Sequence, residues 1–214
     1  WRPLVWEIND KDASWERCIS TYNTGFSIVT QSRSWLPDII GGVVWYGLDD
    51  TYFTCYAPVY VCMETVPDAF GKGNINEFDM NSAWWVFNLV SNYANTKFSY
   101  IKKDVQDVQD EMELSFINNQ DSIEKQALYI YGDNYNPAVA FYLSGYSFES
   151  LTKVHTRWKE LAGFIISKYN DGYIQNDRGR AQNAGYPQDW KERAINDDNG
   201  HYLPVWDANS KSKE

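Results

Sequence analysis

Residues 26–31 (FSIVTQ), 39–48 (IIGGVVWYGL) and 51–62 (TYFTCYAPVYVC) concentrate β-branched and aromatic side chains between turn formers. The spacing predicts consecutive antiparallel strands in a meander. Pro37-Asp38 supplies a turn before the second strand, and Asp49-Asp50 is short enough to predict a tight hairpin after it. Pro58 has no N–H for a ladder, so it belongs on an edge or at a bulge.

From Asn81 onward the period changes. Trp84, Phe87, Val90 and Ala94 recur at helical spacing, with Asp79 as a candidate N-cap. KKDVQDVQDEMELSFI places Val105, Val108, Met112 and Phe116 on one helical face, and DSIEKQALYIYG predicts a third helix stopping at Gly132. Asn136-Pro137 opens a shorter helix, and FESLTKVHTRWKELAGFIISKYNDG a long one ending at Gly172. The class is therefore α+β: 1–62 mainly antiparallel strands, 79–172 mainly helical, and 173–214 an irregular tail. No internal repeat is visible.

Composition narrows the partners. Of 214 residues, 43% are apolar and 17% aromatic, with ten Trp and sixteen Tyr, which marks a chain that folds around a core. Nineteen Lys plus Arg against 29 Asp plus Glu give a net charge of −10, which repels nucleic acid and acidic membrane surfaces at long range. No apolar run approaches the roughly 20 residues that span a bilayer. Cys18, Cys55 and Cys62 lack C-x-x-C spacing and read as buried free thiols, which leaves the compartment open.

A self-contained catalytic set is not apparent. His155 and His201 belong to no H-E-x-x-H, and no G-x-S-x-G or phosphate-binding loop occurs, Gly71-Lys72-Gly73 included. No metal or cofactor is implied. Asp49-Asp50 and Asp197-Asp198 read as turn chemistry, and Asp104, Asp107 and Glu111 as a solvated helix face. Arg17 (in WERCIST) and Arg33 (in QSRSW) differ, because each lies among apolar and aromatic residues where a guanidinium needs an anion. That anion is either a buried carboxylate of the fold or a substrate carboxylate held bidentately.

WRPLVWEI, ERCISTYNTGFSIVTQSRSWLPDIIGGVVWYGLDDTYFTCYAPVY, NSAWWVFNLVSNYA and KYNDGYIQ together resemble the bacterial dipeptidase family of N-terminal-nucleophile cysteine peptidases. SRSWLPDIIGGVVWYGLDD carries most of the resemblance. It implies a four-layer αββα sandwich, with these residues supplying later strands and covering helices, and hydrolysis of dipeptides with broad side-chain tolerance. In that family the nucleophile is a cysteine at the start of the mature chain, activated by its own α-amino group. This chain begins with Trp1, so the resemblance implies the carboxyl-terminal part of a dipeptidase that is inactive alone and pairs with the N-terminal part of the same polypeptide. Related amidases acting on penicillin and bile salts carry a late arginine near the nucleophile. Arg17 is the counterpart by its order, beside the thiolate, and Arg33 would hold the dipeptide's terminal carboxylate.

Two other readings stay open. One is a carbohydrate-binding module stacking sugars on Trp35, Trp45 and Trp84-Trp85. The other is a docking domain with an open sheet edge, which would associate with itself or with a separate catalytic chain.

Overall fold

The computed structural model describes residues 5–14, 19–133 and 135–197. Two units divide the chain, Trp1–Ser167 and Lys168–Glu214. In the first, β1 (Val5–Ile8) pairs antiparallel with β2 (Lys11–Ser14). Their turn runs through Asn9 and Asp10, both at positive φ, where Asn and Asp are the best tolerated side chains.

The principal sheet is an antiparallel meander of β3 (Phe26–Ser32), β4 (Gly42–Leu48) and β5 (Ala57–Tyr60), in that spatial order. Two expected strands are shorter than their apolar runs. Pro37 starts a single helical turn, α1 (Asp38–Gly41), whose Ile40 and Gly41 amides both donate to the Pro37 carbonyl at 2.8 Å. Ile40 thus enters the core from a turn rather than from a strand. After β4 the chain does not form a tight hairpin: residues 49–56 make a folded corner before β5 begins. Pro58 lies on β5, an edge strand of the sheet, opposite Trp45.

The two faces of this sheet differ. Val43 and Trp45 of β4 and Tyr60 of β5 are buried, and Trp45 with Gln31 shares a cleft wall with Glu113, Ile117 and Gln120, which belong to the long helix α4 described below. On the opposite face Phe26 and Ile28 of edge strand β3 are 60% and 51% exposed, and Tyr46 stacks on Phe26 with ring centroids 6.0 Å apart. β3, FSIVTQS, carries no charged residue.

A short α2 (Asp68–Gly71) precedes α3 (Ala83–Thr96), α4 (Phe98–Tyr131) and α5 (Ala138–Lys168). α4 joins two helices that the sequence reading separates. α5 does the same, because nothing in 117–121 or 145–148 breaks the backbone hydrogen bonding. α4 does end at Gly132, whose φ of 65° suits glycine. Val105, Val108, Met112 and Phe116 are buried as their spacing predicts, and Phe87 of α3 stacks on Trp158 of α5 at 4.8 Å. The cap position of α3 is Ser82 rather than Asp79. Asp79 Oδ1 instead accepts from the Asn81 backbone N–H at 2.8 Å, ordering the turn ahead of the helix.

In the second unit the described residues are not an irregular tail. A 3₁₀ turn (Asn170–Gly172), a hairpin of β6 (Tyr173–Gln175) with β7 (Ala181–Asn183), and α6 (Gln188–Asp197) occupy it, with Tyr186 stacked on Trp190 at 4.3 Å. His201 and Asp198 lie outside the described residues.

Candidate active site

The corner after β4 is built around Asp49 and Asp50. Asp49 sits at φ 61°, and its N–H donates to the Gly25 carbonyl at 3.0 Å, tying the corner to the approach to β3. Asp50 closes the next turn: its carbonyl accepts from Phe53 N–H, and its Oδ1 accepts from Tyr52 N–H, each at 3.0 Å. The Ser20 hydroxyl also donates to Asp50 Oδ1 at 3.0 Å, and Thr51 Oγ1 donates to Ser20 Oγ at 2.6 Å. Both aspartates are buried, 1% and 5% exposed.

Helix α3 supplies the facing wall. Asn88, Asn92 and Asn95 are spaced four and three residues apart and so share one side of the helix. Asn88 Nδ2 donates to Asp49 Oδ1 at 2.9 Å, and the Ser91 hydroxyl donates to Asp49 Oδ2. Burial pushes the Asp49 carboxyl up, and the hydrogen bonds from Asn88 and Ser91 pull it part of the way back.

Two clefts flank the corner. One, of about 500 Å³, is lined by Tyr22, Thr24, Gly25, Asp49, Trp84 and the three asparagines, among others. The other, of about 410 Å³, has Ser20, Asp50, Tyr52, Phe53 and Phe98 in its walls. Tyr22 and Asn95 line both, so the two lie side by side.

Arg33 lines neither cleft. Its guanidinium donates to the Glu124 carboxylate, to Gly41 O at 3.3 Å and to Ile40 O at 3.0 Å. Of the two anions that the sequence left open for it, the structure supplies a carboxylate of the fold. Arg17 and Cys18 lie outside the described residues.

Neither described thiol sits in a nucleophile's setting. Cys55 is 1% exposed, and burial followed by the nearby Glu113 carboxylate drives its pKa well up. Cys62 is also pushed up by burial. Burial and then Lys159 lower the pKa of His155, which bonds to the Met80 backbone. Among the described residues no group of three or more His, Cys, Asp or Glu side chains converges as metal ligands would. No helix among them is long and apolar enough to cross a membrane.

The sequence reading treated Asp49-Asp50 as a turn, which it is, and missed that the turn walls two clefts. The asparagines of NLVSNYANT are not among the residues singled out from the sequence. Their helical spacing beside Trp84 was the available signal. Of the four tryptophans considered for sugar stacking, Trp45 is a core residue at 8% exposure, and its Nε1 donates to Gln31 at 3.1 Å.

An antiparallel sheet backed by long helices, with an aspartate corner opening into paired clefts, is the frame of an α+β domain with clefts of small-molecule size. The family model for peptidase family C69 matches residues 6–111, and the chain is related to that peptidase family. This span covers β1 to the middle of α4, and so the whole Asp49–Asp50 corner and the α3 asparagines. No curated protein matches the chain.

Proposed function

We propose that this chain is the carboxyl-terminal part of a cysteine-type dipeptidase, with dipeptides bound in the clefts around Asp49 and Asp50. The relationship to peptidase family C69 carries this reading, because the matched span contains every element that builds the clefts. Clefts of about 500 and 410 Å³ fall within the size range of small-molecule sites.

The nucleophile is a cysteine other than Cys55 and Cys62: Cys55 is buried out of reach of substrate, and both thiols are pushed up, away from the thiolate a nucleophile needs. It is contributed by polypeptide outside these residues, and its own α-amino group serves as base. Arg17, outside the described residues, is the candidate that the family resemblance assigns to stabilising that thiolate. Arg33, committed to Glu124 and two carbonyls, holds the end of β3 to α4. The exposed apolar face of Phe26 and Ile28 supports a further sheet covering β3–β5, as the four-layer sandwich requires.

The experiment is hydrolysis of a dipeptide panel by the full-length gene product, its N-terminal Cys→Ser variant and residues 1–214 alone. Turnover by the first, and by neither of the others, is expected. Turnover by residues 1–214 alone, at a rate like that of the full-length enzyme, refutes the reading.

A further inference from the structure

The two aspartates of the corner are not equivalent. Both oxygens of Asp49 are taken by α3. Asp50 uses Oδ1 for Ser20 and Tyr52, whereas Oδ2 has no hydrogen-bond partner among the described residues, and none of their Lys or Arg side chains pairs with this carboxylate. Nor is Oδ2 sealed in the core: the sealed, unpartnered side-chain atoms there are Thr54 Oγ1, His155 Nε2 and Trp158 Nε1. Asp50 is 5% exposed and stands in the wall of the 410 Å³ cleft. With no Lys or Arg among the described residues paired to it, Oδ2 is left as an acceptor for a donor group entering that cleft.

The rest of that cleft narrows the cation that fits. Tyr52, Phe53 and Phe98 form a ring cluster with centroids 5.0 to 5.7 Å apart, giving an apolar wall next to the carboxylate. A metal ion needs several converging donors, which the described residues do not offer. A primary ammonium attached to an apolar side chain needs what is present: one free carboxylate oxygen for its N–H donors and an aromatic surface for its substituent.

We propose that Asp50 is a specificity residue of the site, receiving the substrate's free α-ammonium group on Oδ2 while Tyr52, Phe53 and Phe98 contact the first side chain. The inference rests on the peptidase reading above. It makes the enzyme selective for an unblocked amino terminus.

The test uses the full-length protein in wild-type and Asp50→Asn forms; Asn keeps an acceptor for Ser20 and Tyr52. Binding of L-leucinamide and of N-acetyl-L-leucinamide is followed by intrinsic fluorescence, which needs no turnover. Wild type should bind leucinamide about 10- to 100-fold more tightly than the acetylated probe, and Asp50→Asn should erase most of that difference. Equal affinity of wild type for both probes overturns the proposal, whether or not the variant folds. So does a variant that retains the wild-type preference. Kinetics separate this inference from the broader reading. If the enzyme cleaves longer peptides and no dipeptides, the dipeptidase reading fails, while the preference for a free over an acetylated terminus still reports on Asp50.

Discussion

The guanidinium of Arg33, just past β3, is held against the carboxylate of Glu124 on α4, two side chains 91 residues apart and 12% and 11% exposed. Glu124 also accepts from Tyr60 Oη at 3.1 Å and Gln120 Nε2 at 3.0 Å, so a single carboxylate joins the ends of two strands to the helix behind them.

Removing either partner leaves the other's charge enclosed. Arg33→Ala in the full-length enzyme should therefore lose about 3–5 kcal/mol of unfolding free energy, measured by urea denaturation. The double variant Arg33→Ala/Glu124→Ala should lose less than the sum of the two single losses. Because Arg33 lines neither cleft, KM should change by the same factor for a dipeptide and for its amide-capped analogue. A rise confined to the free carboxylate would make Arg33 a clamp as well.

Gly41 adjoins the same junction, and its requirement is steric. A Cβ built there falls 2.6 Å from the Arg33 carbonyl oxygen, closer than real contacts allow, and the obstacle is backbone. The Gly41 carbonyl in turn accepts from Arg33 N at 3.2 Å. Gly41→Ala should therefore destabilise by about 1–3 kcal/mol, with thermal unfolding as the measurement. Gly145→Ala, where a Cβ meets nothing within 4 Å in a helix, should be neutral or stabilising.

What could be read from the sequence follows from the range of the interactions involved. The faces of α3 and α4, the order β3–β4–β5 and the stop at Gly132 depend on side-chain periodicity and local turn chemistry, which neighbouring residues carry. The joining of two predicted helices into α4 was not legible: a polar stretch such as NNQD continues a helix once its neighbours are packed. The late start of β4, after Ile39-Ile40, was hidden because an apolar pair reads alike in a turn and in a strand. The site divides in the same way. SRSWLPDIIGGVVWYGLDD pointed to a cysteine peptidase family, and the family match covers that string. That Arg33 is answered by Glu124, and Asp49 by Asn88 and Ser91, depends on separations of 91, 39 and 42 residues, which no local pattern encodes.

The described cysteines give a chemical prediction. With Cys55 1% exposed and both thiols pushed up, neither should react with iodoacetamide at pH 7 faster than a free thiol in solution. Cys55→Ala and Cys62→Ala should each retain kcat for dipeptides within about 2-fold, Cys55→Ala with some loss of stability from the vacated volume. Loss of activity in either variant, with the fold intact by circular dichroism, would identify a nucleophile that burial argues against.

Asp49 supplies a pH dependence whose sign is fixed by its environment. Burial raises its carboxyl pKa above the usual 3.8, so the folded protein keeps this proton to a higher pH than the unfolded chain does. Between the unfolded and the raised folded value the native state binds more protons, and stability must fall as pH rises. The contribution is complete below the unfolded value and lost as pH passes the folded one. Glu113 is raised by burial too and tilts stability the same way, so the effect of Asp49 has to be isolated by difference. Asp49→Asn removes the titrating group, and asparagine tolerates the positive φ. Whatever the variant loses in hydrogen bonding to Asn88 and Ser91 is lost at every pH. Its stability relative to wild type, from urea denaturation at a series of pH values, should therefore improve as pH rises from the unfolded value through the raised folded one and level off above it. Two curves that run parallel across that range would mean that Asp49 does not titrate differently in the folded and unfolded states, and that the hydrogen bonds from α3 fully offset its burial.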